Sequence, residues 1–292
     1  MRRARVRRSR MRVRRLSDLS VNRMVPNVLT LLALCAGMTA MRFAMVGNFE
    51  GAVFAIIAAG IFDGLDGRMA RLLKATSSFG AELDSLADFV SFGVAPAAVL
   101  YLWTMSELHV LGWVIVLFFA VCCALRLARF NAETTTEVPV YAAPFFSGAP
   151  APAGAGLVMV PMFLSFEWGD WLFRSAFLNA VTVTGIALLM ISKVPTVSLK
   201  RIRIPHHLVV PTLLGFGMAT AFLTTEPWLT LTAVGIVYVS SIPLTIRSYY
   251  RLKRAALARK AEPPEQPATV PLPTPATFPL GEATPPPNEW RH

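Results

Sequence analysis

The sequence predicts an all-α polytopic membrane protein of about eight transmembrane helices. Three observations carry this reading. Of the 292 residues, 54% are hydrophobic and only 15% charged, whereas an ordinary soluble domain is nearer a quarter charged. The apolar residues form long runs, most of them near the ~20 residues a helix needs to cross the hydrocarbon. The charges cluster at the chain ends and between those runs, so the net charge of +11 reads as flanking Lys and Arg of a membrane protein rather than as a nucleic-acid surface.

The runs fall at 27–46, 50–72, 82–105, 108–130, 150–166, 171–192, 207–225 and 227–248. The fifth is short and holds Pro150, Pro152 and Pro161, which predict a kink that neighbouring helices must accommodate. The arm at 1–24, Lys74, Arg126, Arg129, Lys193 to Arg203 and Arg247 to Lys260 sort to one side. Glu50, Glu107, Glu167, Asp170 and Glu226 sort to the other, with Arg42 and Arg174 as exceptions. This predicts both termini in the cytoplasm of a plasma (inner) membrane protein. The arm has nine Arg in its first fifteen positions, suited to anionic headgroups, and no cleavage site follows the first apolar run. A transmembrane domain is expected over 25–248, and a basic, then Pro-rich and disordered, cytoplasmic tail over 249–292. Cys35, Cys122 and Cys123 lie within apolar runs and read as small packed side chains.

The informative stretch is Asp63-Gly64-Leu65-Asp66-Gly67-Arg68-Met69-Ala70-Arg71, followed by Gly80, Asp84 and Asp88. Positions 63, 66, 67, 70 and 71 follow helical spacing and form one polar face, and Asp84 and Asp88 share a face one helix later. A short turn at 73–80 makes the two helices antiparallel neighbours, so four carboxylates converge near one surface. Four acids there repel one another and are costly to desolvate, and Arg68 and Arg71 do not suffice to hold them. A bound divalent cation resolves the imbalance. Oxygen ligands without His or Cys select Mg²⁺ or Mn²⁺, and paired ions are a recurring device for displacement at phosphorus. Gly64, Gly67 and Gly80 leave room for a phosphate or nucleotide to approach the backbone. A purely structural acid–base network accounts for one Asp–Arg pair but not for four acids with three glycines. A cation transporter predicts acids at mid-membrane within two related halves, and here the acids lie towards one surface.

The spacing Asp63-x2-Asp66-Gly67-x2-Ala70-Arg71-x8-Gly80-x3-Asp84-x3-Asp88 resembles the signature of the CDP-alcohol phosphatidyltransferase family, with eight fixed residues across 26 positions all matched. The resemblance covers the first six spans and implies a six-helix catalytic core, a homodimer, and metal-dependent transfer of a phosphatidyl group with release of CMP. It implies Asp63, Asp66, Asp84 and Asp88 as ligands of two metal ions, and Asp88 also as general base. It implies contacts to the cytidine diphosphate from Gly67, Ala70, Arg71 and Gly80. Pro26-Asn27-x2-Thr30, the stretch Ala124 to Asn131, Phe146-x-Gly148-x-Pro150-x-Pro152, and Ser192 with Lys200 are similar to segments of the phosphatidylserine synthase subgroup. Eight spans also fit that subgroup. This adds Asn27 and Thr30 as nucleotide contacts and implies CDP-diacylglycerol and L-serine as substrates. Glycerol 3-phosphate or another alcohol is the alternative acceptor. Arg126 and Arg129, three residues apart, could clamp the serine carboxylate or serve as headgroup anchors. His206 and His207 read as interfacial.

Overall fold

A computed structural model describes residues 21–133, 145–192, 194–197 and 209–261. The arginine arm before Val21, the loop holding Lys200, His206 and His207, and the proline-rich tail lie outside the described residues. Helical segments occupy all eight apolar runs. Among the described residues, five helices are long and apolar enough to cross a membrane: Met24–Met45, Ser78–Trp103, Met105–Ala132, Ala151–Trp168 and Pro227–Arg254. The second helix carries the site's own charges, and the helices at Ala176–Ile191 and Val209–Thr225 are shorter.

Helices α1 (Val21–Met45) and α2 (Phe49–Leu72) form an antiparallel hairpin. Gly47 takes φ +77° in the turn, and Asn48 caps α2 by accepting from the Gly51 amide at 2.9 Å. The seam between them is built of small side chains. Ala33, Ala40 and Ala44 of α1 and Ala52 and Ala59 of α2 are buried, which lets the two backbones approach as apolar solvent alone would not require. That seam ends at Thr30 and Asp66, each 4% exposed.

The third run is not one continuous α-helix. It comprises α3 (Ser78–Asp88), a π-helical segment Phe89–Val94 and α4 (Ala95–Trp103). Pro96, in the first turn of α4, lacks an N–H and crowds the carbonyl one turn earlier, and the wider π segment absorbs both defects. The helix also begins at Ser78, four residues before the expected start. Ser77 caps it by accepting from the Gly80 amide at 3.0 Å, so Gly80 belongs to the first turn of α3 rather than to the connecting loop.

A short 3₁₀ turn (Met105–Leu108) leads into α5 (His109–Glu133). The Pro-rich run splits into α6 (Ala151–Val158) and α7 (Val160–Trp168) at Met159, with Pro161 in the first turn of α7, as its prolines predict. The sixth run divides too, into a single turn, α8 (Asp170–Phe173), and α9 (Ala176–Ile191). Helices α10 (Val209–Thr225) and α11 (Pro227–Ala261) are the last described elements. Helix α11 continues through residues expected to begin the tail, as its straight-chain basic side chains favour. Its N-terminal end docks through Trp228, whose ring centroid lies 5.1 Å from Phe54 and 4.8 Å from Phe166.

Among the described residues, the departure from helical structure is a ribbon of three residues per strand. Strand β1 (Phe145–Ser147) pairs antiparallel with β2 (Pro195–Val197), Phe146 opposite Thr196. Gly148 follows at φ +77°, and a Cβ there would stand 2.6 Å from the Met190 carbonyl oxygen. The ribbon thus joins the Phe146–Pro152 segment to the end of α9 near Ser192. Phe92 and Phe119 anchor the core, while Leu117, Val121 and Leu125 of α5 and Leu213, Leu214 and Met218 of α10 face outward, as hydrocarbon permits.

Candidate metal centre and nucleotide cleft

The hairpin of α2 and α3 brings the acids together at one end of the bundle. Ligand oxygens of Asp63, Asp66 and Asp84 all lie within 4.8 Å of one another. The Asp88 carboxyl lies beside that of Asp63, so the fourth acid adjoins the cluster through the first. Thr30 of α1 donates its hydroxyl to Asp66 Oδ2 at 2.6 Å and also contacts the Pro26 carbonyl oxygen at 3.1 Å. Three helices therefore fix Asp63, Asp66 and Asp84 from both sides. Arg71 does not neutralise them: its Nε donates to the Gly67 carbonyl at 3.0 Å. Among the described residues the ion pair is Asp170–Arg174, at the other end of the bundle. A group of carboxylates this close, with no Lys or Arg paired to it among the described residues, fits a hard divalent cation.

An open cleft of about 480 Å³ adjoins the acids. Asn27, Thr30, Asp66, Gly67, Ala70, Gly80 and Asp84 line it, which unites five of the six residues expected to touch a cytidine diphosphate. Arg71 stands beside it through Gly67. A Cβ on Gly67 would meet nothing within 4 Å, so the space above that glycine is open. Gly80 is different. A Cβ there would sit 3.0 Å from Asn27 Oδ1, so this glycine lets α1 and α3 close around the cleft.

Arg126 and Arg129 separate. Arg126 stands near Asp88, Cys123 and Tyr238, and its buried Nε has no hydrogen-bond partner among the described residues. Arg129 reaches the end of α9, donating to the Ile191 carbonyl at 3.4 Å. Two features escaped the sequence reading. Ser77 lines the cleft as well as capping α3, a role foreshadowed by a Ser three residues before Gly80. Asn131 donates to Ser85 Oγ at 2.8 Å, tying the end of α5 to α3 between Asp84 and Asp88. Such a pairing across 46 residues has no local signal.

A helical membrane bundle with a carboxylate cluster opening onto a cleft at one end defines a membrane protein with a cluster that could hold a divalent cation. Comparison with known proteins places it further. The family model for CDP-alcohol phosphatidyltransferases matches residues 23–191, and a second, CDP-alcohol phosphatidyltransferase 2, matches 207–243. The chain is similar to the CDP-diacylglycerol–serine O-phosphatidyltransferase of Mycobacterium tuberculosis, 41% identical over 225 residues, 77% of this chain and 78% of that one. The Mycobacterium leprae enzyme of the same name is 40% identical over 242 residues, 82% of this chain and 79% of that one. The one from Helicobacter pylori is 35% identical over 180 residues, 61% and 73% respectively. The chain belongs to the CDP-alcohol phosphatidyltransferase family.

Proposed function

We propose that this protein transfers the phosphatidyl group from CDP-diacylglycerol to L-serine, forming phosphatidylserine and releasing CMP. The observation that carries the reading is the set Asp63, Asp66 and Asp84 within 4.8 Å, placed against a cleft lined by Asn27, Thr30, Gly67, Ala70 and Gly80. The names of the similar proteins support serine as acceptor.

In this reading Asp63, Asp66, Asp84 and Asp88 hold two divalent ions, Mg²⁺ or Mn²⁺. When bound, the ions offset the charge of the pyrophosphate and of the departing CMP. The cytidine diphosphate lies in the cleft, where the bare backbone of Gly67 admits it closely and Asn27, Thr30, Ala70, Gly80 and Arg71 surround it. Arg126 receives the serine carboxylate, since its buried Nε is a donor awaiting an acceptor. Arg129, bonded at the end of α9, contributes positive charge at the same end. Asp88 takes the proton of the serine hydroxyl. The serine oxygen then forms its bond to the lipid-side phosphorus while the bond from that phosphorus to CMP breaks. Direct displacement suits a cluster that offers a base and no separate nucleophile.

The sorting of basic residues to the acid-bearing end supports a site facing the cytoplasm of the plasma (inner) membrane, with both termini on that side and the 1–24 arm and 249–292 tail at its surface. We infer a homodimer by likeness to the family. The test offers radiolabelled L-serine, glycerol 3-phosphate and inositol phosphate in parallel with CDP-diacylglycerol. Label is expected in lipid from serine; label from glycerol 3-phosphate alone overturns the acceptor assignment.

A further inference from the structure

The shared chemistry of the family explains the acids and the cleft but leaves open what recognises the acceptor. Three observations converge on α11. Arg126 has both Asp88 and Tyr238 among its electrostatic neighbours. The Tyr238 hydroxyl is itself buried. Tyr238 also lines an open apolar pocket together with Phe92, which stands one helical turn beyond Asp88. A charged neighbour, Arg126, and a pocket wall shared with Phe92 therefore bring Tyr238 to the Asp88 side of the cluster.

We propose that Tyr238 of α11 is a specificity-determining residue of the acceptor site, its hydroxyl donating to the acceptor's carboxylate alongside Arg126. The inference rests on serine as the acceptor. A carboxylate offers two oxygens and about four lone-pair sites, more than one guanidinium edge satisfies. It must also be held beside Asp88, another anion. A neutral hydroxyl adds a donor without adding a second cation that would compete for the aspartates. The place in the chain fits. The first family match, which holds the aspartates, ends at residue 191, whereas Tyr238 lies within the separate match over 207–243, so α11 adds a group from outside that common core.

Tyr238→Phe removes one oxygen and keeps the ring that lines the pocket. The expected result is a rise of about tenfold or more in KM for L-serine, the loss of one hydrogen bond to a charged group. KM for CDP-diacylglycerol and kcat at saturating serine stay within about twofold. Serinol, which has no carboxylate, inhibits wild type and variant equally. In the pair Arg126→Gln and Tyr238→Phe the double variant loses less than the product of the two single losses, because both donors serve one group. A serine KM unchanged in Tyr238→Phe, or a fall in kcat with serine KM unchanged, overturns the proposal. A wild-type protein that labels lipid from glycerol 3-phosphate and not from serine instead overturns the acceptor reading on which it rests.

Discussion

Replacing Thr30 with Val removes a single hydroxyl at the end of the α1–α2 seam and tests whether that seam positions the metal centre. Thr30 donates to Asp66 Oδ2 at 2.6 Å, and both residues are 4% exposed. Val has nearly the same shape, so the packing of α1 on α2 survives, but Asp66 loses the donor that orients it from α1. A hydrogen bond to a charged group contributes about 1.5–3 kcal/mol, which corresponds to roughly tenfold to 150-fold in an equilibrium constant. The loss falls on the orientation of Asp66 within the cluster. The expected outcome is a shift of that size in the Mg²⁺ or Mn²⁺ concentration giving half-maximal CMP release. Thr30→Ser, which keeps the hydroxyl, recovers most of it. An unchanged metal dependence in Thr30→Val, or an equal shift in Thr30→Ser, refutes the positioning role of this bond.

Other substitutions separate stability from chemistry. Asp88→Asn should abolish turnover while the protein inserts and migrates as wild type by size exclusion, and retained activity above a few per cent removes Asp88 from the role of base. Gly67→Ala should raise the melting temperature, since an unobstructed helical Gly-to-Ala change gains about 0.5–1 kcal/mol, yet raise KM for CDP-diacylglycerol by placing a methyl in the cleft; unchanged steady-state kinetics would argue against nucleotide at this glycine. Gly37→Ala should lower stability by about 1–3 kcal/mol, because its Cβ would fall 2.8 Å from the Ser91 Cα; thermal unfolding in detergent measures this. At the opposite end, Ser165 donates to Asp170, and that bond, with Arg174 beside it, holds the Asp170 carboxyl below its ordinary value of 3.8. A depressed carboxyl stabilises the fold above its unfolded value and loses that contribution as pH falls through the folded one. Wild type should therefore lose its stability advantage over Asp170→Asn below about pH 4, as melting curves across pH would register.

The acids were legible because helical spacing is local: 63 and 66 on one helix and 84 and 88 on the next require only the 3.6-residue period and a short turn. The residues around the nucleotide cleft were legible by resemblance, and the fold brings five of them to one wall. Less could be read where a distant partner decides. Arg126 and Arg129, equivalent in spacing, diverge because Arg126 faces the buried cluster while the end of α9 supplies Arg129 with a carbonyl. The π segment after Asp88 follows from Pro96, but choosing between a kink, a break and a wider turn depends on the packing of Phe92 and Ser91 against neighbouring helices. The contacts of Asn131 with Ser85 and of Gly148 with Met190 join segments more than 40 residues apart, and no periodicity encodes them.

The central claim is that the aspartate cluster drives a metal-dependent transfer of the phosphatidyl group to serine. CMP release from CDP-diacylglycerol by the purified protein, followed while L-serine and Mg²⁺ or Mn²⁺ are each supplied and withdrawn, tests it most directly. Release should require both, be matched by formation of phosphatidylserine, and be lost in Asp63→Asn and Asp84→Asn. Release that persists in chelator, or no release with both present, would contradict it.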